Sequence, residues 1–241
     1  MNNNLYFIKN LNEHYTDNAG LKINLFKNIS FNIESNLING ILAPKGAGKS
    51  ALLKIIAGLE EASSGEINIP KEKTIYIPSK PSSFPWLSVR QNIIYGIDKV
   101  SDDELKNTIA TVGLDGYEDH FPDNKSIGFR FRISLGRAII RKPEFVLLDE
   151  PFGGLEIESR FEIYSLIRNI KQNTKLTFII ASSDINEALM LSDKIYLMSR
   201  LPGEIIGELK VDLPVDRNSQ LMSSPEFNSI KYEIEKKYQQ F

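Results

Sequence analysis

A glycine-rich segment, residues 43–50, places the strongest constraint on how this chain of 241 residues folds. Its sequence is Ala-Pro-Lys-Gly-Ala-Gly-Lys-Ser, and it stands between an apolar run that ends at Leu42 and apolar residues at helical spacing. A strand, a glycine turn and a helix in this order aim backbone N–H groups at phosphate oxygens, and the helix N-terminus adds a favourable dipole. The segment therefore predicts an α/β core built around a phosphate-binding loop.

The side chains of this loop have distinct expected roles. Lys49 can reach the β- and γ-phosphates of a nucleotide, and the Ser50 hydroxyl can bind Mg²⁺. Ala43 stands where the motif ordinarily has its first glycine, which is a mild change. The alternative is a glycine-rich turn that only precedes a core helix. The candidate nucleotide-binding residues are Pro44, Lys45, Gly46, Ala47, Gly48, Lys49, Ser50 and Ala51.

A second informative segment is the apolar run 145–148, which is followed by Asp149 and Glu150. Two carboxylates at the end of a buried strand are costly unless they bind a cation or water. Asp149 suits the outer shell of Mg²⁺, and Glu150 suits the water that attacks a γ-phosphate. Alone, the pattern is also that of an ordinary strand cap. Its position about 100 residues after the glycine-rich loop favours a nucleotide site.

Composition excludes several other classes of protein. The formal net charge of −2 argues against a nucleic-acid binder that acts through bulk positive charge. Because the chain has no cysteine, disulfides, thiol catalysis and cysteine-ligated metals are excluded. His14 and His120 lie far apart in sequence, which argues against a histidine metal site. The polar start, residues 1–4, and the lack of a membrane-length apolar run predict a cytosolic chain.

The order of apolar segments predicts a single domain over residues 1–241. Residues up to about 80 are rich in strands and look partly antiparallel, whereas strands and helices alternate after residue 140, which predicts a parallel sheet. Between them, residues 84–136 form mostly helices and loops, and we expect an inserted helical sub-domain there. The tail, 201–241, should contain a turn and a final helix.

Further along, the sequence resembles the ATP-binding subunit of an ABC transporter over nearly its whole length. Residues 126–132 stand where that family has its signature, just before the acidic strand. The resemblance implies a P-loop NTPase fold of the ABC ATPase type, with an antiparallel β sub-domain and an inserted helical sub-domain. It also implies that Ser126 and Gly128 contact ATP across a dimer interface. Tyr15 stands where the family stacks an aromatic ring on adenine; a surface aromatic in a turn is an equal alternative.

Residues 82–89, Ser-Ser-Phe-Pro-Trp-Leu-Ser-Val, and the proline-containing tail resemble nitrate-, sulfonate- and taurine-type importers. In that group this region receives a coupling helix of a membrane permease, and an aromatic surface cluster suits such docking. The alternative for Trp86 is a small core under the sub-domain. The implied partners are permease subunits, a second ATP-binding subunit and, indirectly, a substrate-binding protein. The implied location is peripheral, on the cytoplasmic face of the membrane.

Four departures from the family pattern affect the expected chemistry. Ser79 replaces the glutamine that touches Mg²⁺ and the attacking water, and Ser183 replaces the switch histidine. Ile127 replaces the first signature glycine and Lys125 the leading leucine, and Glu156 replaces the D-loop aspartate. Serine is shorter than either residue it replaces. Isoleucine crowds a close approach and resists a positive φ, so we expect little hydrolysis.

These observations predict an ATP-binding importer subunit that uses ATP and Mg²⁺ to drive a permease for a small anion or a vitamin precursor. The binding elements survive while the switching elements are lost, which predicts a weakly hydrolysing half of a heterodimer. The catalytic candidates are Glu150, Ser183 and Ser79, and the metal candidates are Ser50 and Asp149. Alternatives are modest loss with such drift tolerated, a soluble ABC-type ATPase that acts as a nucleotide-dependent switch on DNA or ribosomes, and a small-molecule kinase.

Overall fold

The computed structural model describes residues 5–16, 20–80, 82–123 and 125–240, so the polar start lies outside the described residues. The strands are β1 (Tyr6–Thr16), β2 (Lys22–Ile33), β3 (Ile38–Leu42), β4 (Ser64–Asn68), β5 (Thr74–Ile77), β6 (Phe145–Asp149), β7 (Thr177–Ser182), β8 (Lys194–Met198) and β9 (Ile205–Lys210). The α-helices are α1 (Lys49–Ile56), α2 (Val89–Ile94), α3 (Asp102–Thr111), α4 (Ile127–Ile139), α5 (Ile157–Asn173), α6 (Ile185–Leu191) and α7 (Pro225–Tyr238).

The strands form two sheets. The smaller sheet is antiparallel, in the order β2-β1-β4. The larger has the order β5-β6-β7-β3-β8-β9, and only its edge strand β9 runs antiparallel to its neighbour. Parallel strands joined by helices are buried on both faces, which explains their continuous apolar sequences. The predicted α/β architecture with an antiparallel β portion is confirmed.

Alternation along β6 shows how the large sheet divides the core. Phe145 and Leu147 pack on the face covered by α1, whereas Val146 and Leu148 join the core on the opposite face. Successive side chains of a strand point to opposite faces, so a fully apolar strand needs cover on both sides. The free ends of β3 and β6 therefore emerge between two packed layers, which fixes the positions of the residues that follow them.

Helices α2, α3 and α4 lie between β5 and β6 in the chain. Ser88 and Gln91 form the predicted capping box at the start of α2. At α3 the second predicted box is only half formed, because Ser101 accepts from the Glu104 backbone N–H while the Glu104 carboxylate pairs with Lys142. The side chain of Ser126 caps α4 by accepting from the backbone N–H of Phe129.

Two features of the sheets differ from the sequence prediction. Strands β1 and β2 are longer than the apolar runs that predicted them, because register shifts interrupt the alternation and let pairing continue. Strand β9 was missed, since its sequence is only partly apolar and it is an edge strand. Just before it, Gly203 pairs with the backbone of Leu25 and Lys27, so the start of the tail ties the two sheets together.

The described helices were also compared with the dimensions of a lipid bilayer. None of those within residues 5–16, 20–80, 82–123 and 125–240 combines the length and the apolar character needed to cross it.

Candidate functional site

The glycine-rich loop connects β3 to α1, as predicted. Gly46 has φ 83° and Gly48 has φ 90°, which are left-handed values that favour glycine. A Cβ on Gly48 would lie 2.9 Å from Leu25 Cγ, so a larger residue is excluded by contact as well as by backbone conformation. The backbone N–H of Ala43 donates to the carbonyl of Ser182 at 3.1 Å, which anchors the loop to β7.

Lys49 begins α1 and is 5% exposed. Its Nζ donates to the carbonyl oxygens of Ala43 and Pro44, at 2.9 and 3.1 Å, and lies 3.1 Å from Glu150 Oε1. A buried ammonium is costly unless such partners surround it. The loop therefore holds one cation at its centre, with a carboxylate in front of it.

A cavity of about 640 Å³ opens over the loop. Its volume is in the range of pockets for drug-sized ligands. Pro44 and Ala47 do not line it, and Ala47 is buried in the core beneath the loop. The structure thus brings Ser79 and Glu150 to the loop, as predicted. The cavity is lined by Leu25, Lys45, Gly46, Gly48, Lys49, Ser50, Ala51, Ser79, Lys80, Glu150 and Gly153.

Asp149 ends β6 and is 3% exposed. Its Oδ2 accepts a hydrogen bond from the Tyr76 hydroxyl at 2.8 Å, whereas its Oδ1 is buried with no hydrogen-bond partner among the described residues. An unpartnered buried carboxylate oxygen suits a water of a hydrated cation, so the residues present fit Mg²⁺, with the exposed Ser50 hydroxyl at the cavity wall as the inner ligand.

Sequence reasoning missed Tyr76. It lies on β5, directly beside β6, and pairs in register with Leu147. Burial raises the pKa of its hydroxyl, and the hydrogen bond to Asp149 adds to this effect, so Tyr76 stays a neutral donor. Its only sequence signal is a hydroxyl on a short strand that ends near Ser79, which becomes informative once the strand order is known.

Glu150 has φ 45°, an uncommon conformation for a residue with a side chain. Its Oε2 accepts from both the backbone N–H and the hydroxyl of Ser183, each at 3.3 Å. The carboxylate is thus held between Lys49 on one oxygen and Ser183 on the other. Ser183 lies within reach of the catalytic candidate, as predicted, and its hydroxyl is engaged by that carboxylate.

A second group of polar residues lies behind Ser183, and sequence reasoning did not find it. Glu187 on α6 is 7% exposed and accepts from the Ser182 hydroxyl at 2.7 Å. Arg160 on α5 donates to Glu187 at 3.5 Å and to the backbone carbonyl of Leu155 at 3.1 Å. Burial raises the pKa of the Glu187 carboxyl. This group links residues 153–156 to the segment that holds Glu150.

Three predicted residues lie outside the cavity over the loop. Tyr15 is on β1 with 48% of its side chain exposed, so its stacking on adenine stays a prediction. Ser126 and Gly128 line a separate cavity of about 240 Å³, and their contact with ATP across a dimer interface likewise stays a prediction. The expected strain at Ile127 was wrong: it is the first residue of α4 with a helical backbone, and no positive φ is required there.

The aromatic segment is at the surface. Trp86 is 70% exposed, so the alternative that it forms a small core is wrong. Phe84 stands between Trp86 and Tyr95, with ring centroids 5.6 and 4.5 Å away. Asn92 is fully buried and holds the backbone of this segment through hydrogen bonds to Phe84 and Leu87. A buried anchor under exposed aromatic rings makes a preformed apolar surface.

Comparison with known proteins agrees with this geometry. Residues 26–153 match the model of the ABC transporter family. An aliphatic sulfonates import ATP-binding protein of Bacillus cereus is 36% identical over 225 residues, covering 88% of this chain and 89% of that protein. A nitrate import ATP-binding protein of a Synechocystis species is 30% identical over 246 residues, covering 94% of this chain and 92% of that protein.

Among solved structures, a dimeric post-hydrolysis state of the ATP-binding cassette MJ0796 with ADP and phosphate superposes with a TM-score of 0.74. At 22% identity, covering 87% of this chain and 100% of that one, this likeness shows the fold alone. The fold is that of a P-loop ATPase cassette, as predicted. With the matched family model and these relatives, the chain belongs to the ABC transporter family, whose ATP-binding subunits are ATP-hydrolysing enzymes, and is similar to its sulfonate and nitrate import group.

Proposed function

We propose that this chain binds Mg-ATP in the cavity over the loop and drives a permease that imports a small anion of the sulfonate or nitrate class. The observation that carries this proposal is the meeting of Lys49 with Glu150 at 3.1 Å inside a nucleotide-sized cavity. The import role comes from the relatives, whose names describe sulfonate and nitrate import.

The contacts of Lys49 indicate how the site takes up nucleotide. Phosphate oxygens compete with Glu150 for the ammonium, so ATP frees one carboxylate oxygen while Ser183 still holds the other. The freed oxygen of Glu150 then accepts a proton from the attacking water. Ser50 and Asp149 would hold Mg²⁺, which supplies charge neutralisation for the β- and γ-phosphates.

The same geometry supports the proposal of a weakly hydrolysing half of a heterodimer. Ser79 lines the cavity, but its side chain ends at the first atom beyond Cβ, so it needs a bridging water to reach the metal. Ser183 contacts Glu150, which leaves no imidazole to donate to the γ-phosphate. Ile127 Cδ1 would lie 3.0 Å from a Cβ on Gly154, so its side chain covers a surface that a glycine would leave open.

The partners follow from the surfaces. Residues 84–87, which we name the docking segment, expose Trp86 and suit an apolar helix of a permease. The proposed location is therefore peripheral, on the cytoplasmic face of the membrane. A second ATP-binding chain completes the ATP site, and a substrate-binding protein acts through the permease. Nucleic acid is not a proposed partner.

A tagged chain expressed in its source cells and purified in mild detergent tests the proposal. We expect a membrane permease and a different ATP-binding chain to co-purify. Trp86→Ala should weaken permease recovery, while Tyr232→Ala, which removes another exposed aromatic side chain on α7, should not. Recovery of DNA or ribosomes without a membrane protein would instead support the soluble ATPase.

Nucleotide binding is tested separately with a fluorescent ATP analogue. Lys49→Ala should weaken binding by at least about tenfold, because it removes the ammonium that neutralises the phosphates. Lys54→Ala is the matched control, since Lys54 is also on α1 but pairs with Glu60 at the surface. Equal affinity of the wild-type chain and Lys49→Ala would contradict the proposed nucleotide site.

A further inference from the structure

Arg137 makes an unusual set of contacts for a side chain near the end of α4. Its Nε donates to the backbone carbonyl of Asn92 at 2.8 Å, and its Nη2 donates to the Asn92 side-chain oxygen at 2.7 Å. Its Nη1 donates to the carbonyl of Ser82 at 2.6 Å. The guanidinium also lies over the Phe84 ring, 4.8 Å from its centroid. Every nitrogen of the guanidinium therefore holds the docking segment or its anchor.

Lysine does not reproduce this arrangement. A guanidinium is a planar fork with fixed donor directions, while an ammonium is a point charge on a flexible stem. A flat cation stacked on an aromatic face adds attraction that depends on its orientation. Because three nitrogens bind three different oxygens, the shape of residues 82–84 is set by the position of Arg137 on α4.

The other end of this stretch reaches the nucleotide cavity. Ser79 and Lys80 line the cavity over the loop, and Ser82, which Arg137 binds, is the next described residue after Lys80. Trp86 follows shortly after, exposed to solvent. One short stretch thus joins the nucleotide cavity to the docking segment, and Arg137 grips it in the middle.

We propose that Arg137 is a positioning residue that locks the docking segment to α4, so that a shift of Ser79 and Lys80 on nucleotide binding reaches Trp86 as movement of one rigid unit. The inference rests on the proposed docking function of residues 84–87. It assigns to Arg137 a role in presenting the surface to the permease and none in ATP chemistry. Arg141, one turn further along α4, serves as a comparison, because it donates to the backbone carbonyls of Tyr95 and Arg137 and leaves Ser82 and Phe84 untouched.

The chain carries its own probe, since Trp86 is its single tryptophan. Two measurements on the purified full chain test the proposal. The first is hydrogen exchange of the Phe84 backbone N–H, which donates to Asn92 Oδ1 at 2.8 Å. The second is the change in Trp86 fluorescence anisotropy when Mg-ATP is added. Binding of the fluorescent ATP analogue is measured in parallel.

For Arg137→Lys we expect exchange at Phe84 to become faster by about tenfold, as the bonds that support Asn92 are lost. The Trp86 response to Mg-ATP should be lost while affinity for the analogue stays unchanged. Arg141→Lys, the matched control, should behave as the wild-type chain. A purely structural role would lower the melting temperature and leave the nucleotide response in place.

Protection and nucleotide response that both persist in Arg137→Lys overturn the proposal, as does a wild-type Trp86 that does not respond to Mg-ATP. If Arg137→Lys does not fold, Arg137→Gln, which retains one donor group, is measured in the same way. Permease recovery separates this inference from the docking function. If Arg137→Lys mobilises the segment but Trp86→Ala retains the permease, the positioning role stands and the docking function is wrong.

Discussion

Lys49 Nζ lies 3.1 Å from Glu150 Oε1, so the cation expected to bind phosphate already holds the carboxylate expected to activate water. Each group satisfies the other in a site where either charge alone would be poorly solvated. ATP binding must therefore exchange one anion for another at Lys49. This relationship couples nucleotide uptake to release of the catalytic carboxylate.

Glu150→Gln should bind ATP more tightly, by roughly three- to tenfold, because a neutral amide competes less well for Lys49 and adds no repulsion against phosphate. Any hydrolysis by this site should disappear in the same variant. Titration with a fluorescent ATP analogue measures the affinity. Glu60→Gln is the control, as its carboxylate pairs with Lys54 at the surface and should leave affinity unchanged. Weaker binding by Glu150→Gln would show that Glu150 supports the loop and does not compete with phosphate.

Glu187 predicts a pH dependence of stability. Burial raises the pKa of this carboxyl above its ordinary value of 4.5, and the neighbouring Asp184 and Glu150 act in the same direction. The folded chain then binds more protons than the unfolded chain, so the stability from Glu187 is present below the unfolded pKa and is lost as pH rises through the folded pKa. Glutamine does not titrate and avoids this loss.

The melting temperature of Glu187→Gln relative to wild type should therefore increase by roughly 2 °C between about pH 4.5 and pH 8. Thermal unfolding followed by circular dichroism gives both curves. Glu162→Gln on α5, whose carboxylate is exposed and pairs with Arg132, should keep a constant difference. A difference that shrinks with rising pH would mean that the contact with Arg160 outweighs burial.

Restoring the two side chains that the family ordinarily has should raise turnover. Ser79→Gln combined with Ser183→His gives a longer amide at the cavity and an imidazole beside Glu150, and we expect at least about a tenfold gain in phosphate release. The backbone N–H of residue 183 still supports Glu150 in this variant. Ser183→Thr keeps only a hydroxyl and should give no gain. Turnover of the double variant equal to wild type would locate the defect elsewhere, with Ile127 as the next residue to change.

How much of this site was predictable depends on how far its parts lie apart in sequence. Lys49 and Ser50 belong to one contiguous loop, and Glu150 directly follows a buried strand, so local pattern alone identified them. The bond between Tyr76 and Asp149 arises from neighbouring strands that are remote in sequence, and it required the strand order. The grip of Arg137 on Ser82 is similar, since its residues are separated by the loops and helices of the insertion.

The error at Ile127 has another physical cause. A glycine at a motif position suggests a need for a positive φ, but here the backbone is already helical because Ser126 caps α4. What remains is the volume of the isoleucine side chain. Conformation at that position is set by the helix, which was visible in sequence only as a serine before an apolar stretch.

The last prediction concerns which of two composite ATP sites hydrolyses ATP in the proposed heterodimer. The site at this chain's Lys49 lacks the glutamine and the histidine but faces the partner's signature. The other site has the partner's loop and faces Ile127. Hydrolysis requires the water and the γ-phosphate to be positioned from the side of the loop, within hydrogen-bond reach of the base. The signature mainly closes the site and stabilises charge.

Most turnover should therefore occur at the partner's loop, while ATP at Lys49 and Ser50 stays bound through many cycles. In the assembled complex, removing the partner's catalytic glutamate should stop transport, whereas Glu150→Gln should change it by less than about twofold, because this site serves as a clamp. Transport assays in vesicles, with bound nucleotide counted after rapid filtration, measure both. A severe loss in Glu150→Gln alone would make Glu150 the working base, and equal losses from both changes would indicate two coupled, active sites. Either result would mean that Ser183, which holds Glu150 at 3.3 Å, is an adequate replacement for the histidine.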